Sequence, residues 1–162
     1  MERKLELKDI AGYLPYGLVG LYKRREHLQP TLITIGVSYY KNETTLSFDN
    51  ELSPILRPLS DLYRPITHNR VEVIPIVELA CISNPSVNWE CDNCDYAYDE
   101  SYVFHYNEEY KCFIEQKDNR PIVVRNQYQL FDKLHELKVD YRGLIDDGSA
   151  IDVNSLDVNP YK

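Results

Sequence analysis

Cys91 and Cys94 stand in the segment Cys91-Asp92-Asn93-Cys94, the spacing at which two thiolates on one tight turn hold the same zinc ion at about 2.3 Å. A closed tetrahedral site needs two more ligands. Cys81, Cys112 and His105 are available for it, and the two cysteines would make the site all-thiolate. The chain has only this one C-x-x-C and no glycine between its cysteines, so free reduced thiols are the other reading. A thioredoxin-like redox role is disfavoured, because the acidic neighbours raise thiol pKa values.

Around these cysteines the residues are of a kind that bind by contact. Tyrosine occurs 14 times, against 4 Phe and 1 Trp. Residues 71–110 hold Trp89 with Tyr96, Tyr98, Tyr102, Tyr106 and Tyr110, together with nine acids, among them Asp99, Glu100, Glu108 and Glu109, and no Lys or Arg. The formal net charge of −8 is concentrated there. Tyrosine offers large contact area at low entropy cost and keeps a polar tip, so this block predicts a surface for a basic protein partner. Alternation of Tyr102, Phe104 and Tyr106 puts three rings on one face of a strand. The other readings are that half of these rings pack the core and that the acids are a solvated face.

Other chemistry finds no motif. G-x-S-x-G, H-E-x-x-H, the phosphate loops and the dinucleotide fingerprint are missing, and the four histidines are dispersed, so the expectation is a non-enzyme with no cofactor, the alternative being a small zinc-binding regulatory or hydrolytic protein built around Cys91 and Cys94. Asp152-Val153-Asn154 begins like a calcium loop but lacks its glycine and closing glutamate. Lys23-Arg24-Arg25 is the one basic cluster in an acidic chain, which disfavours nucleic acid. Apolar runs such as Leu79-Ala80-Cys81-Ile82 fall far short of the roughly 20 residues of a membrane span, and no apolar stretch follows the charged start, so the expected setting is the cytoplasm.

A chain of 162 residues with 43% hydrophobic and 27% charged residues predicts one folded domain. Leu7, Ile10, Ala11 and Leu14 give a helix over 5–14 that Pro15 should end. Leu18–Lys23, Thr31–Tyr40 and Glu43–Phe48 read as strands of an antiparallel meander, the last two joined by Lys41-Asn42. Pro58 suits the first position of a short helix to Tyr63, with Arg57 held extended before it. Val71–Ile74 is a brief strand, Pro75 opens a helix to Ile82, and 83–100 reads as a long acidic surface loop. Ser101–Tyr106 and Tyr110–Gln116 form a second hairpin. Asn126 can cap a helix over 127–138 whose stripe is Leu130, Phe131, Leu134 and Leu137, and a last turn stops at Gly148. The whole is a single α+β domain, a meander and a hairpin packed with short helices.

Within it, Arg57, Pro58 and Asp61 form a structural joint. Pro58 fixes φ for the first turn, Leu59 and Leu62 face the core, and Asp61 favours the helix dipole. Arg57 would clamp a carboxylate of the acidic block, the rival reading being contact with a ligand.

Leu14–Leu18 (LPYGL), Pro54–Leu62 (PILRPLSDL), Ile74–Leu79 (IPIVEL) and Gly143–Leu156 (GLIDDGSAIDVNSL) together resemble small proteins encoded by phages and integrated prophages of gut bacteria. The resemblance covers the N-terminal half and the last twenty residues well and Ser83–Tyr110 poorly. It implies an accessory role in the cytoplasm of a bacterial host and carries over no catalytic residues.

Overall fold

The computed structural model describes residues 5–22, 31–35, 37–40, 43–46, 52–92 and 95–162. In chain order these form α1 (Leu7–Ile10), a 3-10 helix (Ala11–Tyr16), β1 (Val19–Tyr22), β2 (Thr31–Thr34), β3 (Val37–Tyr40), β4 (Glu43–Leu46) and β5 (Leu52–Leu56). A 3-10 helix (Leu59–Tyr63), β6 (Ile66–His68), β7 (Val71–Val73) and α2 (Pro75–Ser83) follow. Then come β8 (Ala97–Tyr98), β9 (Tyr102–Asn107), β10 (Cys112–Lys117), β11 (Arg120–Ile122), α3 (Gln127–Glu136) and β12 (Ile151–Asp152). The fold is α+β, and its named strands pair antiparallel except β5 with β12. The Lys41-Asn42 turn, Cys94 and Lys23-Arg24-Arg25 lie outside the described residues. Contacts group the chain into two compact units, Met1–Pro58 with Lys138–Pro160 and Leu59–Leu137 with Tyr161–Lys162.

The first unit is built on a four-stranded sheet in the order β12-β5-β1-β2. Gly20, in β1, pairs with Ile33 on one side and Pro54 on the other. A side chain there would stand 2.8 Å from both Ile35 Cδ1 and Leu52 Cδ1, so only hydrogen leaves those residues room to pack. Ile10, Tyr13, Leu18, Ile35, Leu52, Leu56, Leu144 and Ala150 make the core. The Tyr13 hydroxyl donates to the Val139 carbonyl at 2.8 Å, which satisfies a buried polar tip.

Two expectations for this unit are corrected. The first helix is α-helical only over Leu7–Ile10 and then tightens to 3-10 geometry through Pro15, which fits a short terminal turn; Gly17, at φ 69°, ends it. Thr31–Tyr40 is two strands: β2 follows β1 as far as the Ile35 N–H bond to the Leu18 carbonyl at 2.7 Å, and Val37–Tyr40 pairs with a new neighbour, β4. The strand β5 was not expected, since the helical spacing of Ile55, Leu56, Leu59 and Leu62 masked its period. In the C-terminal part, Asp140 accepts from the N–H groups of Arg142 at 3.1 Å and Ile145 at 2.7 Å. The turn it starts closes as expected at Gly148, φ 77°, with Ser149 N–H and Gly148 N–H donating to Leu144 and Ile145, the Schellman pattern.

In the second unit, Asn69 and Arg70 take φ of 50° and 67° and close the β6–β7 hairpin, while Asp118 and Asn119, at 48° and 62°, close β10–β11. Both are two-residue left-handed turns, which Asn69, Asp118 and Asn119 tolerate and Arg70 adopts without that advantage, and they create strands β6 and β11 that propensity alone had not marked. Pro75 opens α2 as expected. Asn126 precedes α3 as expected, but its amide donates to the Ile82 carbonyl at 2.9 Å instead of capping, and the helix ends at Glu136 instead of 138. Beyond the end of β11, the side chain of Gln127 imitates a strand: its Nε2 donates to Phe113 O at 2.6 Å and its Oε1 accepts from Phe113 N at 3.0 Å. Lys133 joins the helices through Glu78 at 3.0 Å and Glu136 at 3.2 Å.

Candidate functional site

The acidic, aromatic stretch is carried by the sheet β11-β10-β9-β8 of the second unit. Register places Ala97, Phe104 and Glu115 in one row and Tyr106 beside Phe113 in the next, all on one face and all buried. Phe104 and Phe113 stack at 5.5 Å. Trp89 meets Phe104 and Tyr102 edge-on at 6.0 and 5.9 Å, and Phe131 from α3 meets Phe113 and Tyr106 at 5.7 and 6.4 Å. Each such pair contributes about 0.5–1.5 kcal/mol beyond area burial.

Beneath the rings sits a buried carboxylate. Glu115 accepts from the Ser83 hydroxyl at 2.8 Å and the Asn84 amide at 3.1 Å, and Asn84 offers its carbonyl to the Trp89 indole N–H at 3.0 Å. The end of α2, the sheet and the acidic stretch are thereby locked together. Trp89 and Tyr106 are thus interior residues. The stretch 83–100 differs from a surface loop at Trp89 and at Ala97-Tyr98, where Glu90 and Tyr98 exchange two backbone bonds at 2.8 Å.

The remaining candidates lie nearer the surface. Tyr96 is 42% exposed and meets Tyr98 edge-on at 6.0 Å. Tyr98, Asp99 and Tyr102 are half-buried, and Lys117 lies over the Tyr102 ring at 5.1 Å. A hydrogen bond with Tyr102 raises the Lys117 pKa above the ordinary value. Glu100, Glu108 and Glu109 are exposed. Tyr110, at the tip of the β9–β10 hairpin, is 69% exposed, and its N–H is held by the Asn107 side chain at 2.8 Å. Among the described residues none of Asp92, Asp95, Glu100, Glu108 and Glu109 has an ion-pair partner.

Tyr63 joins this group although nothing in its local sequence marked it. Burial raises its pKa most; a hydrogen bond with the Tyr106 backbone opposes that, and the charges of Asp95, Glu108 and Cys91 raise it further. Loop residue Asp95 and hairpin residue Glu108 therefore act on one hydroxyl. Cys91 is half-buried with its thiol directed at the Tyr63 carbonyl at 3.7 Å, Cys81 is exposed on α2, and Cys112 is half-buried on β10. No group of three or more His, Cys, Asp or Glu with metal-binding geometry occurs among the described residues, which exclude Cys94.

At the joint, Arg57 and Asp61 are buried. Arg57 donates its N–H to Lys138 O at 2.7 Å and accepts from Asp140 N–H at 2.8 Å, while Asp61 pairs with Arg64 in the short turn after Pro58. Leu62 is fully buried and Leu59 only half-buried, which corrects the expectation that both face the core. No described helix is long and apolar enough to cross a membrane. Compared with models of protein families, with curated proteins and with solved structures, the chain matches none.

Proposed function

We propose that the chain is a non-enzymatic binding module that docks a basic surface of another protein through Tyr96, Tyr110 and the acids Asp95, Glu100, Glu108 and Glu109. It would act as an accessory protein of the phage or prophage type in the cytoplasm of a bacterial host. The observation that supports this most is the β9–β10 tip, where exposed Tyr110, its N–H held by Asn107, stands next to exposed Glu108 and Glu109. Acids without an ion-pair partner among the described residues can steer a cationic surface, and a tyrosine held by its backbone gives contact area at low entropy cost. The Trp89, Phe104 and Phe113 cluster underneath supplies rigidity instead of contact.

The test compares affinity capture from host lysate by the wild-type chain and by an E108K/E109K/Y110A variant of matched melting temperature. A captured protein with a basic surface, lost in the variant and released by moderate salt, is the expected result. Identical capture by both chains would overturn the reading. Zinc near one equivalent that survives dialysis, lost on replacing Cys91 and Cys94, would instead favour the metal-binding alternative.

A further inference from the structure

The same sheet has a second surface, of opposite sign. β11 is its edge strand and pairs with β10 as Arg120 with Lys117, Pro121 with Gln116, and Ile122 with Glu115. Alternate pairs of an antiparallel ladder exchange two N–H···O=C bonds, and Pro121 has no N–H to exchange. Arg120 and Ile122 therefore bond to β10. The carbonyl of Pro121 and both backbone groups of Val123 point away from the sheet, and those of Val123 bond to nothing among the described residues. Around them Val123 is 79% and Tyr128 73% exposed. Arg120 and Arg125 are exposed on either side, and neither has an ion-pair partner among the described residues. Of the acids of the proposed docking surface, Asp95 precedes β8 at the opposite edge, Glu108 and Glu109 lie at the β9–β10 tip, and Glu100 lies in the β8–β9 turn.

We propose that the β11 edge is a strand-addition site that takes an extended acidic segment of another protein. The segment's backbone would pair with Val123 and the Pro121 carbonyl, its apolar side chains would lie on the face of Pro121 and Val123, and its carboxylates on the face of Arg120 would meet Arg120 and Arg125. Charge selects this occupant. A second copy offering the same edge would gather four arginines, and the proline removes one of the donors such a pairing would use.

The probe is a fluorescein-labelled peptide of sequence Glu-Val-Glu-Val-Glu-Val-Glu, read by anisotropy, with its lysine counterpart as control. Binding of the glutamate peptide alone is expected, weakened at least 10-fold in R120E/R125E and at least 10-fold in V123P. V123P keeps both arginines and costs the fold no hydrogen bond, so it separates strand addition from charge attraction. In the wild-type chain the peptide should also slow amide exchange at Val123 at least 10-fold, a readout that does not depend on either variant folding. No binding of the glutamate peptide, binding unchanged in V123P, or unchanged exchange at Val123 would overturn the proposal. So would a concentration-dependent dimer lost in V123P, which would make a second copy the occupant.

Discussion

Trp89 and Tyr110 show how one residue class divides between folding and contact. Trp89 is buried among Tyr102 and Phe104 with its indole N–H bonded to Asn84, whereas Tyr110 is 69% exposed and held through its backbone N–H by Asn107. Trp89→Ala is expected to cost about 3–5 kcal/mol of stability as a core truncation, and Tyr110→Ala less than about 0.5 kcal/mol. Denaturant unfolding of the two variants checks this, and similar costs would return Tyr110 to the core. Arg57 is the largest fully buried side chain among the described residues, and its backbone is clasped by Lys138 and Asp140. Truncating so large a buried side chain leaves a cavity, so Arg57→Ala should cost about 2–5 kcal/mol. An unchanged melting temperature with loss of partner binding would make Arg57 a site residue and end its reading as a joint.

Among the elements, α2 and α3 are clasped by Lys133. Burial lowers its pKa, but the hydrogen bonds and charges of Glu78 and then Glu136 outweigh burial and hold the pKa above the ordinary 10.5. A group with a raised folded pKa contributes its full stabilisation below the unfolded value and loses it as pH rises through the folded one. The stability difference between wild type and Lys133→Met should therefore be constant up to about pH 10 and shrink above it, as urea midpoints across that range would show. A difference that grew with pH would refute the clasp. Elements marked by proline or by a clear apolar stripe were legible beforehand: α2 behind Pro75, α3 with Leu130 and Leu134, and the 3-10 turn after Pro58. The strands β5, β6 and β11 were not, because β5 carries an internal proline and β6 and β11 depend on turn residues at positive φ. Of the candidate site, the acidic and aromatic composition was legible. The inward turn of Trp89 and Tyr106 was not, since it depends on register against Phe113, and neither was the approach of Tyr63, which comes from a distant segment.

On the scale of the molecule, the same sheet presents acids at one edge and arginines at the other, so the two docking proposals respond oppositely to charge reversal. The first unit is also discontinuous in sequence: it pauses at Pro58 and resumes at Lys138, with the second unit written between. The two sides of that gap are stitched by Arg57 N–H to Lys138 O at 2.7 Å and Asp140 N–H to Arg57 O at 2.8 Å. Synthesis therefore imposes an order. When the ribosome has delivered the residues up to Leu137, the early strands still lack Val139, Leu144 and β12, while nearly all of the second unit is already in hand. The first-made segment is the last that can close, and until then the edge of β5 that β12 covers and the core face that Leu144 and Ala150 fill stay open to misassociation and to chaperones.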